Sequence, residues 1–472
     1  YPIDSLKYRN INIFPLIRLI LSRQSFVEEK NVYYNKILSK FFTVFKVPKF
    51  YFEKIKFDQT LKKLNNKKIE LIFFSDHLFH YDKIKDKKVN LFIDPYFEAV
   101  KKKYKSLKVE IVSNNFKKSF NKKNEPFYLK LFYLDIYGYL KKSLPNFFNI
   151  EKKFKIEGPN TKILNSTLNS SNVNKIINNF DKIIFDSKKI ESFLKEINPK
   201  AVFLTCYYSY QNLAIILACK KLGIPSVDIQ HGGHELYHLM YSHWNKMPTK
   251  GYELLPDYFW IWGKNQKNSG IFNNLKTKHK YVIGGKTQLD FWERNKKFLD
   301  EDFINEQKKF LKKKKNHKKI VLFSATFTDI PKIIFPLIKQ SPKNWLWLIR
   351  AHPRHSNLEE IKLQFKKKGI SNVEIDFPSL SSLNFLLKNI SHLIVEFSSL
   401  VYDALYFNVP SVVLQKNYSH FKNNITNKNL KFSVNKNEII KFIKNRTVHI
   451  KYEKIVSGKK FACNAVKKII KN

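Results

Sequence analysis

Apolar runs alternate with a helical hydrophobic period in the middle of the chain, and this alternation predicts a β-α-β unit. Ala201–Thr205 is almost entirely apolar, as is typical of a buried strand. Leucine and isoleucine then recur at helical spacing in residues 212–222, and Gly223 and Pro225 end that helix. Ser226–Ile229 is the next predicted strand, and a crossover of this kind is expected to be right-handed.

A second series of strands and helices is predicted between Val321 and Leu414. Apolar runs end at Ser324, at Arg350 and at Glu396, and polar residues follow each of them. In an open parallel sheet the carboxyl ends of the strands lie along one edge, where anionic ligands bind beside helix starts. This half of the chain is therefore predicted to hold the phosphates of an activated donor.

Two domains are the expected organisation, because 472 residues exceed what one ordinary hydrophobic core accommodates. Residues 1–265 are predicted to form an N-terminal acceptor-side domain, and residues 266–455 a C-terminal donor-binding domain. A helix in residues 456–472 is expected to pack back on the N-terminal domain. Eight of the 12 glycines lie between Gly223 and Gly285, which concentrates backbone freedom where a cleft and a hinge need it.

The N-terminal part of the chain gives weaker signals. Residues 13–21 are too short an apolar run to span a bilayer, and they predict either a buried helix or a contact with a membrane surface. Residues 71–74 predict a strand that ends at Asp76 and His77. Residues 101–179 show few clear periods and are predicted to form helices and loops along one side of a cleft.

The net charge of +48 raises nucleic acid as a partner, but the residues that carry this charge point elsewhere. Only seven of the 87 basic residues are Arg, and the Lys residues are spread along the chain. Nucleic acid is therefore disfavoured, and an anionic membrane surface or an acidic glycan is the expected electrostatic partner. Three cysteines without a closely spaced pair fit a reducing compartment. The sequence predicts a cytoplasmic protein without a transmembrane helix, peripheral at the inner face of the membrane.

A turn with the sequence Gln230-His231-Gly232-Gly233 contains the strongest candidate for a catalytic base. A His at a strand end, with glycines behind it, can project into a cleft, and an imidazole suits proton transfer from a hydroxyl group. The alternative is a buried His that bonds to a neighbouring carbonyl. The glycine pair and the position at a strand end favour the functional interpretation.

Two acidic residues are further candidates near this base. Glu235 is close enough in the sequence to orient the imidazole of His231, and Asp76 is the rival base at an earlier strand end. His234 and His238 add to the local histidines, but no triad has the spacing of metal ligands. No metal site is therefore expected.

A second candidate group follows the apolar run of residues 345–349. Arg350, His352, Pro353 and Arg354 come directly after it, so two of the seven arginines stand at one strand end. A planar guanidinium group binds phosphate or carboxylate through two parallel hydrogen bonds, which Lys does not provide. This turn is predicted to bind donor phosphates, and a solvated basic strand end is the alternative.

A third candidate group, Glu396, Ser398 and Ser399, lies at the junction between an apolar strand and a helix. Ser398 or Ser399 can cap that helix, and the same hydroxyl and backbone N–H groups can bind a phosphate. Glu396 is a candidate partner for a ribose diol, while Ser324 and Thr326 are expected to add hydroxyl contacts to the diphosphate. No glycine-rich fingerprint follows that earlier strand, so neither a dinucleotide site nor a P-loop is expected.

The order of these groups resembles GT-B glycosyltransferases of bacterial surface polysaccharide biosynthesis, which make capsule and lipopolysaccharide. The similarity covers residues 199–414 and is closest to enzymes with an HP motif, such as CDP-glycerol glycerophosphotransferases and polysialyltransferase-like enzymes. It implies the α/β fold called GT-B, in which two Rossmann-like domains face each other across a cleft.

The resemblance also implies roles for single residues. His231 matches the histidine proposed as the base in these enzymes. The turn with Arg350, His352 and Pro353 matches the motif that holds the donor phosphates. Ser398 and Ser399 match the serines at the start of the following helix. Gly233 replaces the usual Thr after the His-Gly pair, and Glu396 replaces an Asp common in teichoic-acid enzymes. These differences favour a sugar nucleotide over a glycerophosphate donor.

The resemblance implies an inverting, metal-independent glycosyltransferase. Its donor would be a CMP-, CDP- or UDP-linked sugar, and its acceptor a growing surface polysaccharide or a lipid-linked glycan. The nucleotide-sugar is a substrate, so no cofactor is expected. Three alternatives stay open: a glycerophosphotransferase of teichoic-acid-like polymers, a sugar-nucleotide epimerase, and a non-catalytic glycan- or nucleotide-binding protein of the same fold.

Overall fold

Two parallel β-sheets with helices on both faces make up most of the part of the chain that the structure describes. The computed structural model describes residues 6–24, 59, 62, 64, 68–76, 80–84, 87–111, 127–129, 170–233, 238–242, 244, 247–264, 277–295, 301–352, 357–396, 398–415, 429–445 and 455–471. Each sheet with its helices is a Rossmann-like α/β domain, which confirms the predicted fold class.

The strands alternate with helices along most of the chain. In chain order the strands are β1 Lys7–Tyr8, β2 Ile11–Asn12, β3 Leu71–Asp76, β4 His80–Ile84, β5 Lys87–Asn90, β6 Ser106–Ile111, β7 Phe127–Leu129, β8 Ala201–Thr205, β9 Ser226–Ile229, β10 Tyr258–Ile261, β11 Lys280–Ile283, β12 Lys319–Ser324, β13 Trp345–Arg350, β14 Val373–Glu374, β15 His392–Val395, β16 Ser411–Val413 and β17 Leu430–Phe432. The helices are α1 Phe14–Gln24, α2 Asp94–Val100, α3 Ser170–Ile197, α4 Tyr210–Leu222, α5 Gln288–Arg294, α6 Glu301–Lys314, α7 Ile334–Gln340, α8 Leu358–Lys367, α9 Asp376–Leu380, α10 Leu383–Asn389, α11 Leu400–Tyr406, α12 Lys436–Lys444 and α13 Lys459–Lys471.

The first sheet has seven described strands in the order β11-β10-β9-β8-β3-β6-β7, all parallel. The second has six, in the order β14-β13-β12-β15-β16-β17, also all parallel. Parallel strands of this kind are covered on both faces, which explains their nearly continuous apolar sequences. The short pairs β1-β2 and β4-β5 are antiparallel and lie outside both sheets.

The predicted β-α-β unit forms as the sequence indicates. The Ser209 hydroxyl caps α4 by accepting a hydrogen bond from the Asn212 backbone N–H at 3.1 Å. Gly223 ends the helix in the left-handed region, with φ of 68°, where a glycine has no steric penalty. The helix packs with α3 on one face of the first sheet, where Val202 and Leu204 are fully buried. These contacts fix the carboxyl ends of β8 and β9 side by side.

Strand β6 differs from the sequence-based prediction of helices and loops in residues 101–179. Its charged residue Lys108 is buried and forms ion pairs with Asp94, at the start of α2, and with Glu110 at 2.6 Å. Burial lowers the pKa of Lys108, but the two carboxylates together outweigh burial and leave this pKa above its usual value, so the ammonium group stays charged. The alternation of charge within the strand interrupts the apolar run that would have revealed it.

The first sheet continues past residue 265, where the sequence placed the domain boundary. Strand β11 pairs with β10, and the chain leaves the sheet at Gly284 and Gly285. Any side chain on Gly284 would overlap the ring of Trp260, with its Cβ only 2.0 Å from a ring atom, so this close approach requires glycine. The returning segment lies beside this crossing, because the Lys286 N–H donates to the Val456 carbonyl at 2.8 Å.

Both ends of the chain pack on the first domain. Helix α13 places Ala462 and Val466 in the core that also contains Phe73 and Phe203. Helix α1 buries Leu16 and Leu19, which is the buried-helix alternative predicted for residues 13–21. Among the described residues, no helix is both long enough and apolar enough to cross a membrane.

Candidate active site

The turn after β9 is fixed by the side chain of Gln230, which is completely buried. Its Nε2 donates to the Gly232 carbonyl at 2.9 Å, and its Oε1 accepts from the Trp262 N–H at 3.0 Å. The Trp262 indole N–H donates in turn to the Gln230 carbonyl at 3.1 Å. These hydrogen bonds connect the turn to the residue that follows β10, so the backbone around His231 has a defined position.

His231 is held in a neutral state by its surroundings. Its Nε2 lies 3.2 Å from the Tyr208 hydroxyl, and the ring of Phe92 contacts the imidazole edge to face, with 5.9 Å between ring centroids. Burial, with a smaller contribution from His238, lowers the pKa of His231 to about 3. A neutral imidazole has a lone pair that can accept a proton, which is the state a general base requires.

Three parallel strands of the second sheet end together at one edge of that sheet. Strand β12 pairs with β13 on one side and with β15 on the other, and Ser324 pairs with both Arg350 and Val395. The residues that follow these strands, Thr326, His352 and Glu396, are all partly exposed. Burial raises the pKa of the Glu396 carboxyl despite a nearby Thr326 N–H that favours its charged form. Hydroxyl, imidazole and carboxyl groups therefore line one edge of this sheet.

Arg350 faces inward in this arrangement. Its Nη1 donates to the carbonyls of Pro378 and Ser381, the latter at 2.7 Å, and the residue is only 8% exposed. The guanidinium group therefore braces the segment around α9. Its predicted contact with donor phosphate stays a prediction, and the geometry favours an indirect role through that segment.

The two candidate groups meet where the domains approach each other. If Gly232 had a Cβ atom, that atom would lie 3.9 Å from the Ser399 hydroxyl oxygen. Ser399 occupies the position before α11 without capping it, whereas the Ser398 hydroxyl accepts from the Leu400 N–H at 3.2 Å. The predicted base and the predicted donor-side serines are thus brought to one place. Helix α11 has seven residues, so its dipole adds little there.

The other predicted residues are distributed as follows. Asp76 ends β3, two strands away from β9 in the sheet, which places it about 10 Å from the end of β9 by strand spacing alone. Gly233 follows Gly232 in the turn and is partly exposed. The remaining predicted residues lie outside the described residues: His77, His234, Glu235, Pro353 and Arg354.

Sequence reasoning missed the contacts that join the two halves of the site. Lys286, just after β11, forms a buried ion pair with Asp403 of α11. The same ammonium group lies 3.8 Å from the ring centroid of Trp262, the residue that holds Gln230. Asp403 is on the helix that follows Ser399, and the sequence suggested only an ordinary helix residue. A conspicuous signal was absent, since Lys is common throughout this chain.

A buried carboxyl group, and not a cluster of metal ligands, lies next to the turn in the described part of the chain. No group of three or more His, Cys, Asp or Glu residues there could hold a metal ion. The buried carboxyl group nearest in sequence to the turn is Asp228 of β9, which accepts hydrogen bonds from the Tyr241 hydroxyl at 2.6 Å and the Tyr207 N–H at 3.2 Å. Burial raises the pKa of Asp228 to about 8, so this carboxyl is predominantly neutral at pH 7.

Solved structures of similar architecture include UDP-GlcNAc 2-epimerase from Methanocaldococcus jannaschii, in complex with UDP-GlcNAc and UDP. The identity is 14% over 86% of this chain and 100% of that chain, with a TM-score of 0.51. Another structure of that epimerase gives the same identity and coverage with a TM-score of 0.50. The wall teichoic acid polymerase TagF matches at 13% identity over 92% of this chain and 91% of that chain, with a TM-score of 0.41.

No protein-family model matches the chain, and no curated protein matches it either. At 14% identity the likeness to the epimerase structures shows the fold alone. That fold is the GT-B type, with two Rossmann-like parallel-sheet domains, as the sequence predicted. The match to TagF has too low a TM-score to support an argument.

Proposed function

We propose that the protein is a glycosyltransferase that moves a sugar from a CMP-, CDP- or UDP-linked donor to a growing surface polysaccharide or a lipid-linked acceptor. The approach of Gly232 to the Ser399 hydroxyl carries this proposal. It puts the turn with a neutral His from one domain against the serines at a strand end of the other. A group transfer needs a base and a leaving-group site at one place, and the two domains supply one each.

The donor nucleotide is assigned to the edge of the second sheet. The hydroxyl groups of Thr326, Ser398 and Ser399 and the imidazole of His352 are hydrogen-bond donors for the phosphate oxygens. Glu396, whose pKa is raised by burial, is a partner for the ribose diol. Ser324 and Arg350 support this edge from the strands themselves, and Arg354 and Pro353 belong to the same predicted turn. Fixed donors at the leaving phosphate stabilise the charge that develops as its bond to the sugar breaks.

His231 is the proposed base. It accepts the proton of the acceptor hydroxyl while the oxygen forms a bond to the anomeric carbon and the nucleotide leaves with the electron pair of the broken bond. Attack opposite the leaving group inverts the anomeric centre. In the free protein, burial keeps the imidazole neutral and its pKa at about 3. A donor diphosphate bound nearby raises that pKa, because an adjacent negative charge favours the imidazolium form.

The sequence adds four further predictions to the proposed function. We predict that Glu235 orients the base and that transfer needs no metal. We also predict that the protein binds an anionic membrane surface, at the inner face of the cytoplasmic membrane. Asp76 stays the rival base. Metal independence is checked directly by measuring turnover in the presence of EDTA.

A thermal-shift screen of the free nucleotides CMP, CDP, UDP and GDP tests the donor site first. We expect one base to raise the Tm of the full chain by several degrees, since a ligand that binds only the folded state stabilises it. His352→Ala should lose most of this shift, and His231→Asn should keep it. A chain that no nucleotide stabilises would contradict the donor assignment.

Turnover tests the base. With a sugar linked to the nucleotide identified in the screen, His231→Asn should lower kcat by roughly a hundredfold or more, while Asp76→Asn stays close to the parent protein. The opposite result would move the base to Asp76. Formation of an isomeric sugar nucleotide without any acceptor would instead show an epimerase, and nucleotide binding without turnover of any donor would show a binding protein.

A further inference from the structure

The hydroxyl of Tyr208 lies between two imidazole rings. It is 3.2 Å from Nε2 of His231 and 3.3 Å from Nε2 of His238. We propose that Tyr208 and His238 form a proton relay that carries the positive charge away from His231 when this residue takes the acceptor's proton. This relay rests on the proposed function, because it presupposes that His231 is the base.

The hydroxyl proton imposes an order on the three groups. Tyr208 has one proton to donate, so the relay requires it to donate to Nε2 of His238 and to accept the Nε2–H of His231. The two histidines therefore have opposite protonation at Nε2. If His231 gains a proton on its other nitrogen, its Nε2–H passes to the tyrosine oxygen, and the tyrosine proton passes to His238. The proton count is conserved, and one unit of positive charge moves from His231 to His238.

The burial of His231 explains why a proton needs a path away from this ring. Nδ1 of His231 is buried, and its Nε2 lies 3.2 Å from the Tyr208 hydroxyl, which is the group positioned to take a proton from Nε2. His238 is partly exposed and can pass the proton to solvent. Burial lowers the pKa of His238 to about 4, so this ring is neutral and can accept a proton. Burial raises the pKa of Tyr208, which keeps the hydroxyl protonated and able to conduct.

The segment that carries Tyr208 is strained and firmly held. Cys206, the residue after β8, lies in the left-handed region with φ of 57°, which costs energy for a residue with a side chain. The Asn212 side chain offsets this by donating to the carbonyls of Thr205 and Cys206 at 2.7 and 3.0 Å. The Thr205 hydroxyl also donates to the Ile229 carbonyl at 2.8 Å. These bonds tie the segment to β9, which leads into the His231 turn.

The second arm of the relay is fixed as well. The His238 carbonyl accepts from the Tyr241 N–H at 2.7 Å and from the Ser242 hydroxyl at 3.1 Å. Helix α1 reaches this turn through Arg18, which donates to the Ser242 carbonyl at 2.7 Å. Both arms are thus held independently of the hydroxyl between the histidines, so removing that hydroxyl should leave the rings in place.

Other titratable groups surround the relay and must be distinguished from it. Cys206 Sγ lies 3.7 Å from the Tyr208 hydroxyl, Tyr207 and Tyr241 pack against the Tyr208 ring, and Asp228 accepts from Tyr241. Tyr241 is the matched control. It is a buried tyrosine of the same cluster whose hydroxyl bonds to a carboxyl group instead of to a histidine.

Tyr208→Phe in the full chain is the test, because it keeps the ring and removes the proton carrier. Nucleotide release is measured with the CMP-, CDP- or UDP-sugar whose base stabilises the parent protein. We expect kcat to fall by roughly tenfold or more, with an unchanged nucleotide-induced Tm shift. The solvent deuterium isotope effect on kcat should rise above that of the parent, and added imidazole should restore part of the rate. His238→Gln should behave alike, and the double variant should lose little more than either single one.

Tyr241→Phe should lose thermal stability while keeping the parent isotope effect and gaining nothing from imidazole. The relay is wrong if Tyr208→Phe binds the nucleotide and retains the parent kcat and isotope effect. If His231→Asn also retains the parent kcat, the proposed base fails, and the fault lies with the proposed function. Selective ¹⁵N labelling of histidine gives a measurement that needs no substrate. Opposite Nε2 protonation of the two rings in the parent supports the relay, and identical protonation of both rings contradicts it.

Discussion

Lys286 and Asp403, 117 residues apart in the sequence, form a buried ion pair between the segment after β11 and helix α11. Burial lowers the pKa of Lys286 and raises that of Asp403, so in both cases desolvation outweighs their mutual attraction. A pair of this kind adds little net stability, but removing one partner leaves a buried charge without compensation. The pair therefore fixes how the Ser399 helix lies against the turn that contains His231.

Lys286→Met should lower the free energy of unfolding by about 3–5 kcal/mol, because it leaves the Asp403 carboxylate buried without a cation. Urea denaturation at neutral pH measures this loss. The double variant with Asp403→Leu should recover much of it, since neither charge then remains. Lys313→Met is the matched control, because Lys313 pairs with Glu374 at an exposed site and should cost less than about 1 kcal/mol. Equal losses for the two single variants would contradict the importance of the buried pair.

Gly232 and Gly284 should respond differently to substitution. A Cβ on Gly232 would make an ordinary contact with Ser399, so Gly232→Ala should fold with a Tm near that of the parent. Gly232→Leu should fill the space between the domains and raise the donor KM at a similar Tm. A Cβ on Gly284 would overlap the Trp260 ring, so Gly284→Ala should lower the Tm by several degrees. A parent-like KM for Gly232→Leu would show that the donor does not enter this space.

The sequence was sufficient for features that depend on neighbouring residues. The run from β8 through α4 to β9 shows its apolar period, its Gly223 end and the position of His231 within about thirty residues of chain, so local physics defines it. The same holds for α13, because a helix was predicted in residues 456–472 and the structure has one at Lys459–Lys471. Fold class could therefore be derived from local patterns and their order.

Features that depend on distant partners could not be derived in this way. Lys286 and Asp403 acquire their importance only when the two domains meet, and Tyr208 looks like an ordinary core aromatic until two histidines lie beside its hydroxyl. Arg350 has a further contact of this kind. Its scarcity in a lysine-rich chain suggested a ligand contact, which stays a prediction, and the sequence did not reveal that its Nη1 donates to the carbonyls of Pro378 and Ser381.

Substitutions of Arg350 and His352 should have different effects, the first on thermal stability and the second on nucleotide binding. Arg350→Met removes both hydrogen bonds to the α9 segment and should lower the Tm of the ligand-free protein by several degrees, since bonds from a charged donor contribute about 1.5–3 kcal/mol each. His352→Ala should leave that Tm nearly unchanged and remove the nucleotide-induced shift. Thermal unfolding with and without the nucleotide measures both. A parent-like Tm for Arg350→Met would contradict the bracing role.

Asp228→Asn should become more stable relative to the parent as the pH rises. In the unfolded chain an Asp ionises near pH 3.9, whereas burial raises the pKa of Asp228 in the folded protein to about 8. Between these values the unfolded state releases the proton and the folded state keeps it, so the parent loses up to about 1.4 kcal/mol per pH unit. Asparagine has no proton to release. Urea denaturation at about pH 5, 6.5 and 8 measures the free energy of unfolding of both proteins. The value for the variant minus the value for the parent should increase by a few kcal/mol over this range.

The buried histidines act in the opposite direction, because their lowered pKa values reduce stability as the pH falls below about 6.5. They are present in both proteins and cancel in the difference. Asp257→Asn is the control of opposite sign. Burial would raise the pKa of Asp257, but Lys220 and hydrogen bonds from Ser226 together lower it, so the ionised carboxylate stabilises the fold. This variant should lose stability relative to the parent as the pH rises from the folded-state pKa of Asp257 to about 3.9, and the loss should then stay constant from about pH 5 to about pH 8. A flat difference for Asp228→Asn would mean that the folded protein holds an ionised Asp228, and the neutral assignment would be wrong.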